Sequence, residues 1–204
     1  MSNGIDTPFI EDAARNTSGL VSAGIAAVAG YLYQGRSFKQ LLSRDPAVRL
    51  NAEGIYVITL WESGTPTCGE YFSQHDAEAE GAACALLALE AGQPASTPDY
   101  AAVDYDAPDG DLAAIGDYFT GFRKSLAADG YTAGVYGSGK VCRYLSELGL
   151  VSHTMLAAAT GWAGYEDWKP RADIVQTVAN TKVAGIPCDR FTTGGCGGGW
   201  MVAG

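Results

Sequence analysis

The sequence predicts a single (β/α)8-type, TIM-like barrel of compact or irregular build, and three observations carry that expectation. Eight short apolar runs punctuate the chain, helical segments separate most of them, and each run is nearly continuous in apolar residues, as strands covered on both faces are. A doubly wound open sheet is the alternative use of the same alternation. At 204 residues and 47% hydrophobic, the chain is long enough for one sizeable core. One domain is expected over residues 1–193, followed by a Gly-rich tail, 194–204. The tail's run Gly194-Gly195-Cys196-Gly197-Gly198-Gly199 reads as low complexity, mobile and without chemistry.

The first strand begins at Ile5 and ends at Asp6. A loop and a short helix, Ser18 to Ala23, lead into a second strand, Ile25 to Tyr33. Phe38 to Leu42 and Ala47 to Ala52 read as one helical segment interrupted at Pro46, which has no N–H to give. Gly54 to Glu62 is the third strand, rich in β-branched and aromatic residues. The Ala-rich run Asp76 to Ala91 is a helix, with Leu86, Leu87 and Leu89 as its apolar side and Gly92 and Pro94 as its stop. Tyr100 to Asp106 makes the fourth strand. Ile115, Tyr118, Phe119, Phe122 and Leu126 recur at helical spacing within Leu112 to Ala128, which Gly130 ends. Tyr131 to Tyr136 is strand five, Lys140 to Leu148 a helix closed by Gly149, and Thr154 to Ala159 strand six. Ile174 to Val178 and Val183 to Asp189 complete the count.

The net charge of -10, with 13 scattered Lys and Arg residues, excludes nucleic acid and anionic membrane surfaces as partners. The longest apolar stretch, Gly24 to Tyr33, is too short to insert in a membrane. Met1-Ser2-Asn3-Gly4 lacks the basic start and apolar segment of a signal peptide. The expectation is a protein made in the cytoplasm without a signal peptide, which lysis or a dedicated delivery system must release if it acts outside; a monomer is also expected. The five cysteines form no CxxC pair, so neither a disulfide framework nor a zinc site is expected, and the thiols read as reduced. No metal or other cofactor is called for. His75 and His153 read as surface or capping residues, and no Gly-x-Ser-x-Gly elbow accompanies them. Gly134 to Val141 imitates a phosphate loop through Lys140, but Val141 stands where Ser or Thr would hold magnesium. A tight strand-to-helix turn explains its glycines better, with Lys140 balancing nearby charge.

The chemistry lies in the acids. Asp104 and Asp106 are spaced i, i+2, which in a strand places both on one face about 7 Å apart between Cα atoms. Asp6, Glu62, Asp104, Asp106, Gln176 and Asp189 all fall at or near strand carboxyl ends, the reactive face of a parallel barrel. Several carboxylates around one mouth are equipment for glycosidic cleavage: one stays protonated to donate to the leaving oxygen, another ionised as base or charge stabiliser. Crowding like charges raises one pKa and divides the roles. Trp61, Tyr105, Tyr136 and Trp162 are candidates to stack on sugar rings.

Gly4-Ile5-Asp6-Thr7, Asp76-Ala77-Glu78-Ala79, Ala102-Val103-Asp104-Tyr105-Asp106, the segment Gly130 to Ser138 and Gly185-Ile186-Pro187-Cys188-Asp189 resemble the glycoside-hydrolase-like domain of unknown function named for a mycobacterial secreted protein. That family is similar to the family 25 lysozymes, which are N-acetylmuramidases. The resemblance implies a modified barrel whose acidic groove cleaves the β-1,4 bond after N-acetylmuramic acid in peptidoglycan. Asp6 matches the family's first-strand Asp, and Asp104 with Asp106 its Asp-x-Glu. Asp106 thus stands where the lysozymes place their acid Glu, and shortening that acid moves its oxygen by about 1 Å, enough to cost on the order of a hundredfold in rate. Expected roles are Asp106 or Glu62 as donor, Asp104 as base or stabiliser, and Asp6 and Asp189 as substrate-holding or tuning groups. A barrel that binds glycan or a cell-envelope partner without cutting it is the competing expectation.

Overall fold

A computed structural model describes residues 1–202. Eight strands close into one barrel in sequence order: β1 (Ser2–Asp6), β2 (Ile25–Leu32), β3 (Tyr56–Trp61), β4 (Pro98–Ala102), β5 (Thr132–Gly137), β6 (His153–Leu156), β7 (Ile174–Val183) and β8 (Ile186–Thr193). Eight α-helices accompany them: α1 (Ile10–Arg15), α2 (Thr17–Ser22), α3 (Arg44–Ala52), α4 (Gly69–Gln74), α5 (Ala77–Ala91), α6 (Leu112–Ala128), α7 (Gly139–Glu147) and α8 (Tyr165–Trp168). The expected barrel is present, with one departure from an all-parallel sheet. Strands β1 to β7 pair in parallel, while β8 runs antiparallel to both β7 and β1. No crossover helix joins the last two strands; Ala184 and Gly185, both at positive φ, turn the chain in place.

Alternation along each strand sorts the core. Ala27, Ala29, Ile58, Leu60, Tyr100, Met155, Ile174 and Phe191 fill the barrel interior, and the residues between them pack outward beneath the helices. Gly4 makes room for this filling, since a Cβ there would lie 2.1 Å from the Phe191 ring. Helix α6 buries Ile115, Tyr118, Phe119, Phe122 and Leu126, the stripe its spacing predicts.

Several local expectations are corrected. Phe38 to Leu42 is not helical; Leu41 makes an isolated bridge to Tyr31. Pro46 sits in the first turn of α3, where a missing N–H costs nothing, so it helps start the helix instead of interrupting it. In α5 the buried face is Glu80, Gly81, Cys84, Ala85, Ala88 and Ala91, while Leu86 and Leu89 are exposed. Small residues win that face because α6 lies so close that a Cβ on Gly81 would approach Phe122 O to 2.6 Å. Strand β4 ends at Ala102, so Asp104 and Asp106 lie beyond it and do not share a strand face.

The glycine-rich segment is packed through residue 202. Trp200 is buried, exchanges backbone hydrogen bonds with Val57 (2.8 and 3.0 Å), and donates through its indole N–H to Thr59 Oγ1 at 2.9 Å. Tyr100, inside the barrel, donates its hydroxyl to Gly197 O at 2.8 Å. The segment closes the amino-terminal end of the strands and is integral to the core, against the expected mobile tail. Trp200→Ala is expected to lower the unfolding free energy by about 3–5 kcal/mol in urea denaturation. Leu89→Ala, on the exposed side of α5, should change it by less than about 0.5 kcal/mol.

Candidate active site

The period of two that fills the barrel also builds its mouth. Continuing each inward register toward the carboxyl ends takes Ala27 and Ala29 to Tyr31, Ile58 and Leu60 to Glu62, Tyr100 and Ala102 to Asp104, and Ile174 to Gln176. Asp6 ends β1, and Asp189 is its direct register partner on β8. Asp6, Tyr31, Glu62, Asp104, Tyr136 and Asp189 line a cavity of about 170 Å³, closed below by Leu60 and Ala102. It opens into a groove of about 560 Å³ that adds Phe38, Lys39, Asn180, Lys182 and Pro187. Together they have the size of a small-ligand site.

Asp6 is the deepest acid. Gln176 Nε2 donates to its Oδ2 at 2.9 Å, while Oδ1 is buried with no hydrogen-bond partner. Gln176 is held in turn, its Oε1 accepting from the Tyr136 hydroxyl at 3.2 Å and from Ala158 N–H at 3.1 Å. Burial pushes the Asp6 carboxyl up to about 7; the Tyr31 hydroxyl opposes this, Asp189 and Glu62 reinforce it, and Lys39 again opposes. Glu62 is also raised, because burial outweighs its ion pair with Lys39. Asp104, at the lip, is raised by partial burial, with Lys39 opposing and Asp189 adding. Asp189 Oδ1 accepts from Asn180 N–H at 2.7 Å.

Asp6, Glu62, Asp104, Tyr136, Gln176 and Asp189 are thus brought together, and four other expected site residues are not. Asp106 is exposed and accepts from Ala163 N–H at 2.9 Å, tying down the loop after β6. Tyr105 donates to Asp111 at 2.9 Å, stacks near Phe72 and lines a separate groove with Cys68 and Glu70. Trp162 is half-buried in the turn after β6 and lines neither cavity of the mouth. Trp61 points outward, one residue out of register with Glu62. Its indole N–H donates to the buried Glu80 at 2.9 Å, which also accepts from Tyr71 (2.9 Å) and Tyr118 (2.6 Å) and contacts His75 Nδ1. That cluster gives His75 a structural partner beyond the expected capping role, and fixes the end of β3 from behind.

Tyr31, Lys39 and Asn180 escaped sequence reasoning. Tyr31 was readable, two residues past Ala29; Lys39 sits on a loop where no period extends, and Asn180, at positive φ, sits where the register of β7 shifts. In the phosphate-loop look-alike, Ser138 caps α7 by accepting from Val141 N–H at 3.3 Å. Lys140 pairs with Asp109 at 2.9 Å, away from the mouth. All five cysteines are free. Among the described residues no three His, Cys, Asp or Glu side chains converge to hold a metal ion, and no helix is long and apolar enough to cross a membrane.

A closed barrel with acids gathered at one mouth, Asp6, Glu62 and Asp104 at the carboxyl ends of β1, β3 and β4 and Asp189 not at a carboxyl end as expected but within the antiparallel β8, is the build of a glycoside-hydrolase-like domain. The chain belongs to the Rv2525c-like, glycoside hydrolase-like domain family, which it matches over residues 18–190. Among solved structures it is similar to the Tat-secreted protein Rv2525c of Mycobacterium tuberculosis in complex with HEPES, at 19% identity and TM-score 0.79 over 98% of both chains. A bacterial lysozyme from Streptomyces coelicolor matches at 16% identity and TM-score 0.63, covering 95% of this chain and 92% of that one. A family 25 glycosyl hydrolase from Bacillus anthracis matches at 11% identity and TM-score 0.57, covering 96% and 89%. None of the curated proteins matches the chain by sequence. The likeness to a Tat-secreted protein overturns the expectation of a cytoplasmic product released by lysis or delivery.

Asp6 is protonated in the folded chain up to about pH 7, whereas in the unfolded chain it ionises above about pH 4. Between those values the unfolded state binds fewer protons, and stability falls as pH rises. Thermal melts of Asp6→Asn from pH 4 to 7 are expected to fall less steeply than those of the wild type; parallel curves would contradict the assignment.

Proposed function

We infer that the protein is a glycoside hydrolase acting on peptidoglycan glycan strands by carboxylate acid/base catalysis. The observation that carries this reading is the convergence of Asp6 on β1, Glu62 and Asp104 just beyond β3 and β4, and Asp189 on β8 into one small desolvated cavity, on a barrel like those of a bacterial lysozyme and a family 25 glycosyl hydrolase. Glu62 donates the proton to the leaving oxygen; its carboxyl is raised by burial and, less strongly, by the charge of Asp104. Asp104, open at the lip, stays ionised and stabilises positive charge on the sugar ring. Asp6, locked by Gln176, tunes the pair from below, and Tyr136 and Asp189 line the wall against the sugar. Asp106 has no part in this arrangement, because its carboxylate is spent on the loop at Ala163.

A barrel that binds glycan without cutting it is favoured by one observation, the ion pair that ties Glu62 to Lys39. Assay of new reducing ends on purified peptidoglycan separates the two. Cleavage is expected in the wild type. Glu62→Gln should lower kcat by about 10²–10⁴-fold, with a comparable loss in Asp104→Asn and none in Asp106→Asn. Binding with no new reducing ends in the wild type would establish the non-cutting barrel instead.

A further inference from the structure

Lys39 takes no part in the acid/base scheme, yet the fold brings it there with care. Its side chain is only 10% exposed, pairs with Glu62 Oε1 and lies over the Tyr31 ring at 4.4 Å. The loop that carries it is anchored: the Tyr33 hydroxyl donates to Lys39 O, Gln40 N–H donates to Pro8 O at 2.7 Å, and Gln40 Oε1 accepts from Glu11 N–H at 2.7 Å. Among the described residues Glu62 is its single ion-pair partner.

This placement conflicts with a site built for neutral sugar alone. Removing an ammonium from water costs several kcal/mol in order of magnitude unless good partners replace the water. Pairing it with Glu62 also weakens the proton donor that the chemistry needs, since Lys39 pulls the Glu62 carboxyl down against burial. A ligand that supplies its own anion resolves both difficulties. The acids Asp6, Glu62, Asp104 and Asp189 line both the cavity and the groove, whereas Lys39 and, at the exposed rim, Lys182 line the groove alone. A bound sugar then sets its ring over the acids and its negative substituent toward the lysines.

We propose that Lys39 is a specificity-determining residue that takes the carboxylate of an acidic sugar in the outer groove and thereby releases Glu62 to hold its proton. The assignment rests on the hydrolase reading of the mouth. A sugar carboxylate can come from a lactyl ether whose carboxyl carries no peptide or from a uronic acid, and both present the same group to an ammonium.

Calorimetric titration tests this with N-acetylmuramic acid, glucuronic acid and neutral N-acetylglucosamine as probes, against the wild type, Lys39→Met and Lys39→Arg. One or both acidic sugars are expected to bind the wild type at least about tenfold more tightly than the neutral one, the worth of a charge-assisted hydrogen bond. Which acid is preferred identifies the source of the carboxylate. The preference should vanish in Lys39→Met and persist in Lys39→Arg, with circular dichroism confirming that both fold. Equal binding of all three sugars by the wild type, no binding of any, or a preference that survives Lys39→Met would overturn the assignment. Binding is read without turnover, so the two readings fail separately. An intact Lys39-dependent preference in a protein that cuts nothing supports the lysine's role while refuting the hydrolase. Cleavage without preference does the reverse.

Discussion

The return of β8 between β7 and β1 is the constraint on which the site depends. Because β8 arrives antiparallel through a two-residue turn, Asp189 is set in register against Asp6. The same hairpin brings Gln176 of β7 within hydrogen-bonding distance of Asp6. A crossover helix at this point would have needed a dozen or more further residues. A compact chain thus closes its barrel and crowds its acids with one device.

Two buried carboxylates show what that crowding does. Glu80, outside the barrel, is met by Trp61, Tyr71, Tyr118 and His75, so its environment is complete and it serves the packing of β3 against α4, α5 and α6. Asp6 receives one hydrogen bond from Gln176, keeps an unpartnered oxygen, and faces like charges. Under-provision of this kind destabilises a fold and is characteristic of functional sites. Asp99 is also buried with both oxygens unpartnered and its carboxyl pushed well up by burial, but it lies away from the mouth.

Much of this was legible because strands and helices impose periods on the sequence. Helix α6 follows from its apolar spacing, β2 and β3 from their continuous runs, and the inward places of Glu62 and Asp104 from counting in twos. The failures fall where no period operates. The period that carries Ala102 to Asp104 does not continue to Asp106, because the chain has left β4 at Ala102 and turns Asp106 to Ala163. Trp61 was misread by one residue, which in a strand is the difference between cavity and outer packing. Leucines suggested the apolar side of α5, yet close approach to α6 selected alanine and glycine. The glycine-rich end looked featureless because its order comes from tertiary contacts around Trp200, and Lys39 reaches the mouth on a loop whose path only the folded chain defines.

If barrel closure sets the electrostatics of the mouth, Asp6 must titrate far from an ordinary aspartate. A 13C NMR titration of its carboxyl carbon in the folded protein measures this directly. The account predicts a midpoint of about 7; a midpoint near the unperturbed 3.8 would show that the carboxylates do not share a desolvated cavity, and would contradict it.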